Sequence, residues 1–365
     1  MSSKLLASLR LAQLKHAAFL TGLPSAGTKA DIIAVLEFNT PTRTPIATGS
    51  RIVSVDMGIR NLAYCVLDVP KPSLSHASST KASPLQVLEW KRIDLLHPSA
   101  IEPQNPTPSD DTQVKPSTKK PAPTPPSAFT PSHLSHTALA LSRTLLSHSP
   151  TTILIERQRF RSGGGPAIQE WTVRVNMLEA MLWACLQTLR ETSSLDRTLS
   201  STEAGSGARK GTGEFPAVFE VLPARVAGFW VGEPGVSLRM TAETFTSGRV
   251  EPAASAVLSS SASGRKRVQK KDKVAVVRSW LDEDKGNPDV SLAFSGEAAK
   301  IAKAFAAPTS RSSSSSRGTI EEGSVEEESE ERMGKRDDLA DCLLQGVAWT
   351  RWEENRDLLA QLLRS

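Results

Sequence analysis

Five carboxylates stand where the chain gives them little ordinary reason to be. Asp56 closes the apolar run Ile52-Val53-Ser54-Val55, Glu156 closes Thr152-Ile153-Leu154-Ile155, and Asp337, Asp338 and Asp341 precede the apolar stretch Cys342 to Trp349. A carboxylate in such surroundings has to be paired, hydrogen-bonded or metal-bound. Taken alone, Asp56 could equally cap a turn by accepting backbone N–H groups, and Asp337 and Asp338 could simply favour a helix N-terminus. Neither account covers Asp341 ahead of an apolar run, or acids ending two strands. On a helix, positions three or four apart share a face, so Asp341 lies beside both Asp337 and Asp338. Hard divalent cations such as Mg²⁺ or Mn²⁺ take oxygen ligands. A cluster of three or four carboxylates is what two-metal phosphodiester chemistry needs, one ion activating water for in-line attack and the other stabilising the leaving oxygen.

The elements that must bring these acids together can be read from hydrophobic periodicity. Arg51 to Asp68 is strand, Gly-marked turn and strand, and Leu85 to Leu95 is a third strand completing a meander. His133 to Ser147 has helical spacing and delivers the chain into the Glu156 strand, which places that strand parallel to the first. Ala167 to Glu191 is a long helix whose broad apolar face, with Trp171, Met177, Met181 and Trp183, suggests a dimer interface. Val218 to Trp230 reads as a strand and a helix started by Pro223. In that strand, Glu220 is better placed for solvent than for the site. Arg265 to Leu281 is a basic cluster running into an amphipathic helix, and Lys335 to Trp349 is an amphipathic helix with acids on its first turns.

The residues Val55-Asp56-Met57-Gly58-Ile59-Arg60-Asn61, Ile155-Glu156-Arg157-Gln158 and Asp337-Asp338-Leu339-Ala340-Asp341 resemble the three acidic motifs of the fungal mitochondrial Holliday junction resolvases, the cruciform-cutting endonucleases. These are similar in turn to bacterial RuvC, within the ribonuclease H-like superfamily. The resemblance covers roughly 51–67, 133–189, 218–230, 265–281 and 334–352. It implies an α/β fold with a mixed five-stranded sheet flanked by helices. It also implies two Mg²⁺ or Mn²⁺ ions per active site, with Asp56, Glu156, Asp338 and Asp341 as catalytic ligands and Asp337 as an alternate ligand. No small-molecule cofactor is expected. The implied activity is hydrolysis that resolves four-way DNA junctions, leaving 5′-phosphate and 3′-hydroxyl ends, in mitochondrial DNA recombination and segregation. A homodimer would face the two-fold-symmetric junction. In RuvC-like proteins a lysine matching Lys273 opens its helix near the active site, making Lys271 and Lys273 leading phosphate contacts.

Other cations point the same way. Arg157, Arg159 and Arg161 run on from Glu156 into Ser162-Gly-Gly-Gly165, a pattern that suits a phosphate passing a metal site. Residues 1–40 form helix, Gly22-Leu23-Pro24 turn and helix, and look like a SAP module, with Leu11, Leu14, Ala18, Leu23, Ile32, Ile33 and Leu36 as a miniature core. Gly22 suits a left-handed helix cap, and Lys15 and Lys29 are candidate DNA contacts, Lys29 opening the second helix. The same segment has no acid before Asp31 and is rich in Leu, Ala and Ser, as import presequences are. The expected localisation is the mitochondrial matrix, with a nuclear alternative from the basic cluster at 265–273.

Residues 50–365 are thus read as the nuclease domain, interrupted by low-complexity insertions near 100–131, 192–213, 236–263 and 306–331. A net charge of +5 favours an anionic partner weakly, because 44 Lys and Arg face 39 Asp and Glu. The three cysteines have no paired spacing, which argues against a disulfide framework or zinc site. No stretch approaches the roughly 18 apolar residues of a membrane helix. The six histidines lie outside every motif, so histidine-based catalysis is not expected. Three rivals share parts of the pattern: a ribonuclease H-type enzyme on RNA–DNA hybrid, a non-catalytic junction-binding protein, and an ASKHA-type phosphotransferase. The last needs further Gly-rich phosphate loops that the chain does not supply.

Overall fold

The structure is a computed structural model, and it describes residues 2–40, 49–70, 83–96, 126–158, 170–203, 214–231, 238–241, 268–282, 290–307 and 322–364. Arg159, Arg161, the Gly-rich loop at 162–165 and the cations at 265–267 lie outside the described residues, as do most of the expected insertions.

β1 (Arg51–Asp56) and β2 (Leu62–Asp68) form the expected hairpin, pairing Ile52 with Leu67 and Asp56 with Ala63. β3 (Leu85–Ile93) continues the antiparallel meander, with an irregularity between Val66 and Leu67. α4 (Pro131–Ser147), started by Thr130 and Pro131, then crosses back to β4 (Thr152–Glu156), which lies parallel to β1. α5 (Glu170–Glu203) leads to β5 (Ala217–Val221), parallel to β4. The sheet has six strands rather than the expected five, in the order β5-β4-β1-β2-β3-β6. The addition is β6 (Leu292–Phe294), a three-residue strand parallel to β3, followed by α8 (Gly296–Ala306). So short a strand has no periodicity to betray it.

Alternation along the strands sends side chains to two cores. Val53, Val55, Tyr64, Val66, Ile153 and Ile155 face α4 and α5. Ile52, Cys65, Leu67, Val87 and Leu154 face α6 (Pro223–Trp230), α7 (Lys270–Leu281), α8 and the C-terminal helix α9 (Glu322–Arg364). α9 starts at Glu322, not near Lys335, so Asp337, Asp338 and Asp341 sit inside the helix rather than on its first turns. That removes the helix-terminus explanation for these acids, since a helix dipole acts only within the first turn. α5 likewise runs past 192, where a linker was expected.

The N-terminal helices are α1 (Ser2–Ser8), α2 (Leu11–Leu20) and α3 (Lys29–Asn39). Thr28 and Asp31 cap α3 reciprocally. Their apolar residues do not close into a miniature core of their own. Leu14, Ala18, Ile32 and Leu36 are buried in one continuous cluster with Phe229, Trp352 and Leu359, and Leu11 is exposed. The reason is polar as well as apolar. Asn355 Nδ2 donates to Leu20 O at 2.7 Å and Arg356 Nε to Thr21 O at 2.8 Å, so α9 satisfies carbonyls that end α2. Gly22 has φ +68°, and a Cβ there would meet Trp352 Cδ2 at 2.3 Å. Gly22→Ala therefore combines left-handed strain with a collision against a buried indole. We expect it to cost on the order of 3 kcal/mol, seen as a lowered melting temperature.

Candidate active site

The first two motif acids are brought together by strand pairing. β1 and β4 run parallel, and their last residues, Asp56 and Glu156, lie at the same end of the sheet, close enough for the Glu156 carboxylate to act on Asp56. Asp56 is 8% exposed. Burial is the main cause that pushes its carboxyl well above the ordinary range; Glu156, Asp341 and Asp338 add to it by charge.

α9 supplies the other three acids, and its register against the sheet is fixed by side chains from the strands beneath it. Ser54 Oγ donates to Cys342 O at 2.8 Å and Trp90 Nε1 to Leu339 O at 2.8 Å. Gln345 Nε2, buried, donates to Ser54 Oγ at 3.1 Å and to Val55 O at 3.2 Å, beside Asp56. Gly346 allows the approach, because a Cβ there would stand 2.6 Å from Leu67 Cδ1. With the helix so held, Asp341 and Asp338 point their charge at Asp56.

Each α9 acid has a distinct partner. Asp338 Oδ1 accepts from Asn61 Nδ2 at 3.0 Å, and its Oδ2 lies 3.1 Å from Arg92 Nε. Burial raises its carboxyl, and these two contacts offset part of that. Lys273 Nζ lies between Asp337 Oδ1, at 3.1 Å, and Asp341 Oδ2, which it contacts directly, while Lys270 Nζ stands 3.4 Å from Asp337 Oδ2. Burial alone would push the Lys273 ammonium down; Asp341 and Asp337 reverse that and hold it above the lysine range. Asp341 is raised to about 7, chiefly by burial, with Lys273 opposing.

Asn61, Arg92 and Lys270 are not singled out by the sequence. Asn61 lies inside the first motif, so its polarity at a turn is a usable signal; for Arg92, on a strand legible only by its apolar face, there is none. Glu179 on α5 is a further addition. Its Oε2 accepts from Gln158 N at 3.1 Å, steadying the chain just beyond Glu156. Of the expected DNA contacts, Lys271 is exposed on α7, Arg157 is exposed and 3.2 Å from Glu220, Lys29 Nζ donates to Ala7 O, and Lys15 is half-exposed on α2. Lys273 is turned to the acids.

Residues 52–359 match the family described as mitochondrial resolvase Ydc2 / RNA splicing MRS1. The chain belongs to this family. Among curated proteins, the mitochondrial cruciform cutting endonuclease 1 of Schizosaccharomyces pombe is 31% identical over 180 residues, covering 49% of this chain. The match spans 56% of that relative's length. The crystal structure of the yeast mitochondrial Holliday junction resolvase Ydc2 superposes over 97% of this chain and 98% of its own, with a TM-score of 0.51 at 21% identity. This likeness gives the fold. Likeness to the Thermus thermophilus RuvC structure is slight, with a TM-score of 0.24 at 13% identity over 57% of this chain and 89% of that one.

The raised carboxyls set a pH dependence for the metal-free protein. Between the unfolded aspartate value near 4 and about 7, folded Asp341 holds a proton that the unfolded chain has released, so stability falls as pH rises through that window. We expect a loss on the order of a few kcal/mol between about pH 4.5 and 7.5 in EDTA. Melting curves of Asp341→Asn should be flatter across the same range.

Proposed function

We propose that the chain is a divalent-metal-dependent endonuclease that resolves four-way DNA junctions, acting as a homodimer in the mitochondrial matrix. The observation that carries the reading is the gathering of Asp56, Glu156, Asp338 and Asp341 at one end of the sheet in a member of the Ydc2 family. The S. pombe relative is named a mitochondrial cruciform-cutting endonuclease, which supports both the substrate and the compartment.

The donor set fits Mg²⁺ or Mn²⁺ in kind. Every candidate ligand is a carboxylate oxygen, hard cations prefer such ligands, and Asp56, raised by burial and by the acids around it, marks a place where negative charge is short of a counter-ion. Asp337 Oδ1 is buried, and the Lys273 ammonium stands 3.1 Å from it. Among the described residues, no three acids stand close enough together to ligate one ion as placed. Lys273 fills the space between Asp337 and Asp341 and Arg92 draws on Asp338. Asp56, Glu156, Asp338 and Asp341 would be the residues to hold two ions, with Asp337 as an alternate. Such ions supply an activated water and neutralise the leaving oxygen.

The protein's own part is orientation and charge. Gln345 and Ser54 lock α9 on β1, so the acids keep their spacing. Arg92 and Asn61 hold Asp338 on the side facing Asp56. Lys270 and Lys271, exposed on α7, present ammonium groups to a phosphodiester backbone. Asp337 and Asp341 would be shared between Lys273 and a bound cation, and the Lys273 ammonium would then be available to a phosphate oxygen. Two such sites in a dimer would cut paired strands of the junction.

The test is cleavage of a synthetic four-way junction beside matched linear duplex and RNA–DNA hybrid in Mg²⁺. Paired nicks in the junction alone are expected. Preference for the hybrid would replace the reading with a ribonuclease H-type activity, and junction binding without cleavage in Mg²⁺ or Mn²⁺ would make the chain a binding module.

A further inference from the structure

Beyond Glu156 the chain enters a cleft of about 1180 Å³, lined by Arg157 and Gln158, the edge strand β5, α5, the turn at Gly22 and the buried indoles of α9. It lies off the C-terminal ends of parallel β4 and β5, where neighbouring elements diverge and ligands collect in open α/β sheets. Its volume exceeds the roughly 300–1,000 Å³ of pockets that enclose a single small ligand. A length of polymer is the better match.

The charges of the cleft are unequally matched. Arg157 pairs with Glu220 at 3.2 Å, and Arg356 pairs with Glu353. Arg225, on the first turn of α6, is half-buried; its Nη1 donates to Gly22 O at 3.3 Å, and among the described residues it has no carboxylate in ion-pair range. A guanidinium carries five donors, and a half-buried cation is stabilised by an anion brought to it. Trp183 of α5 and Phe219 of β5, both partly exposed, give the same cleft faces on which a planar group can lie. A cation with donors to spare beside aromatic faces is the pairing that holds single-stranded nucleic acid, phosphate on the one and base on the other.

We propose that this cleft takes a single-stranded stretch of the junction strand that leaves the acid cluster, with a phosphate on Arg225 and a base against Trp183 or Phe219. The proposal rests on the junction-cutting reading above. It gives the N-terminal helices a role as one wall of the strand path, since the turn that ends α2 supplies Gly22 and Leu23 to the lining. It also accounts for Glu179, which both lines the cleft and fastens Gln158 at its mouth.

The experiment uses the full-length wild type and junctions carrying 5-iodouracil at successive positions on either side of the cut. After irradiation, peptides containing Trp183 or Phe219 should carry the label from positions within a few nucleotides of the cut. In parallel, Arg225→Ala should bind the junction about tenfold more weakly and show a log–log salt dependence shallower by about one unit. Arg225→Lys should restore the salt slope. Label confined to α7 or to the N-terminal helices, or an Arg225→Ala chain with unchanged slope, overturns the proposal while leaving the nuclease reading intact. The same holds if the cleft is covered by a second copy of the chain, in which case no label enters it and Arg225→Ala shifts the oligomeric state. A wild type that binds no junction overturns both readings.

Discussion

Asp56→Asn should abolish junction cleavage, by about a thousandfold or more, while junction affinity stays within a factor of about two. The argument is geometric. Asp56 feels the charge of carboxylates from two other elements, Glu156 on β4 and both Asp341 and Asp338 on α9, and no cation is in ion-pair range of it among the described residues. Asparagine keeps the shape and one acceptor oxygen but cannot contribute a negative charge to a cation. Binding is carried instead by surface cations such as Lys270 and Lys271, which the substitution does not touch. Asparagine also takes up no proton on folding, whereas the buried Asp56 carboxyl is raised and must, so the variant should melt higher than wild type in EDTA at neutral pH. A variant that loses binding along with cleavage, or melts lower, would show that Asp56 holds the fold together and has no part in the chemistry.

Much of this arrangement is legible in the chain because the elements that hold the acids are regular. The β1–β2 hairpin has apolar runs on both sides of a Gly-marked turn, and β4 follows a helix of clean spacing, so the residues alone imply the parallel pairing of Asp56 with Glu156. Two features of the site are not legible, for different physical reasons. The start of α9 is hidden because Glu322 to Glu331 is acidic, with no apolar periodicity to announce a helix. The partners of the acids are hidden because they come from far along the chain: Arg92 reaches Asp338, and Lys270 and Lys273 reach Asp337, across separations that no local pattern encodes. Lys273 in particular reads as a phosphate contact. Its type and its nearness to the site are apparent; the carboxylates it pairs with are not. The N-terminal helices show a third kind of loss. Their helix-turn-helix pattern is plain, but the burial of their apolar face under Phe229 and Trp352 joins residues more than two hundred positions apart.

Lys273→Met separates the two roles that the structure allows this lysine. Without divalent cation, the ammonium is the positive charge that lies between Asp337 and Asp341, and it is mostly buried, with its side chain 18% exposed. Removing it leaves Asp341 desolvated without a cation and Asp337 with only the exposed Lys270, which costs about 3 kcal/mol. The melting temperature of Lys273→Met in EDTA should therefore fall by several degrees, and fall further as pH rises past about 7, because Asp341, without the ammonium that lowers it, holds its proton in the folded variant to higher pH than in the wild type. Added Mg²⁺ or Mn²⁺ should reverse most of the loss, because a cation that binds only the folded chain stabilises it by mass action. The same substitution removes a competitor for the carboxylates, so the midpoint of that thermal recovery should come at a lower cation concentration than any metal-dependent shift of the wild type. Cleavage by the variant, if the released lysine serves a phosphate, should stay low even when cation has restored the fold. Full activity at saturating Mg²⁺ would instead confine Lys273 to charge balance in the metal-free protein. A deficit that cation does not mend, in melting temperature as well as in cleavage, would mean that the acids are a structural network and do not form a metal site.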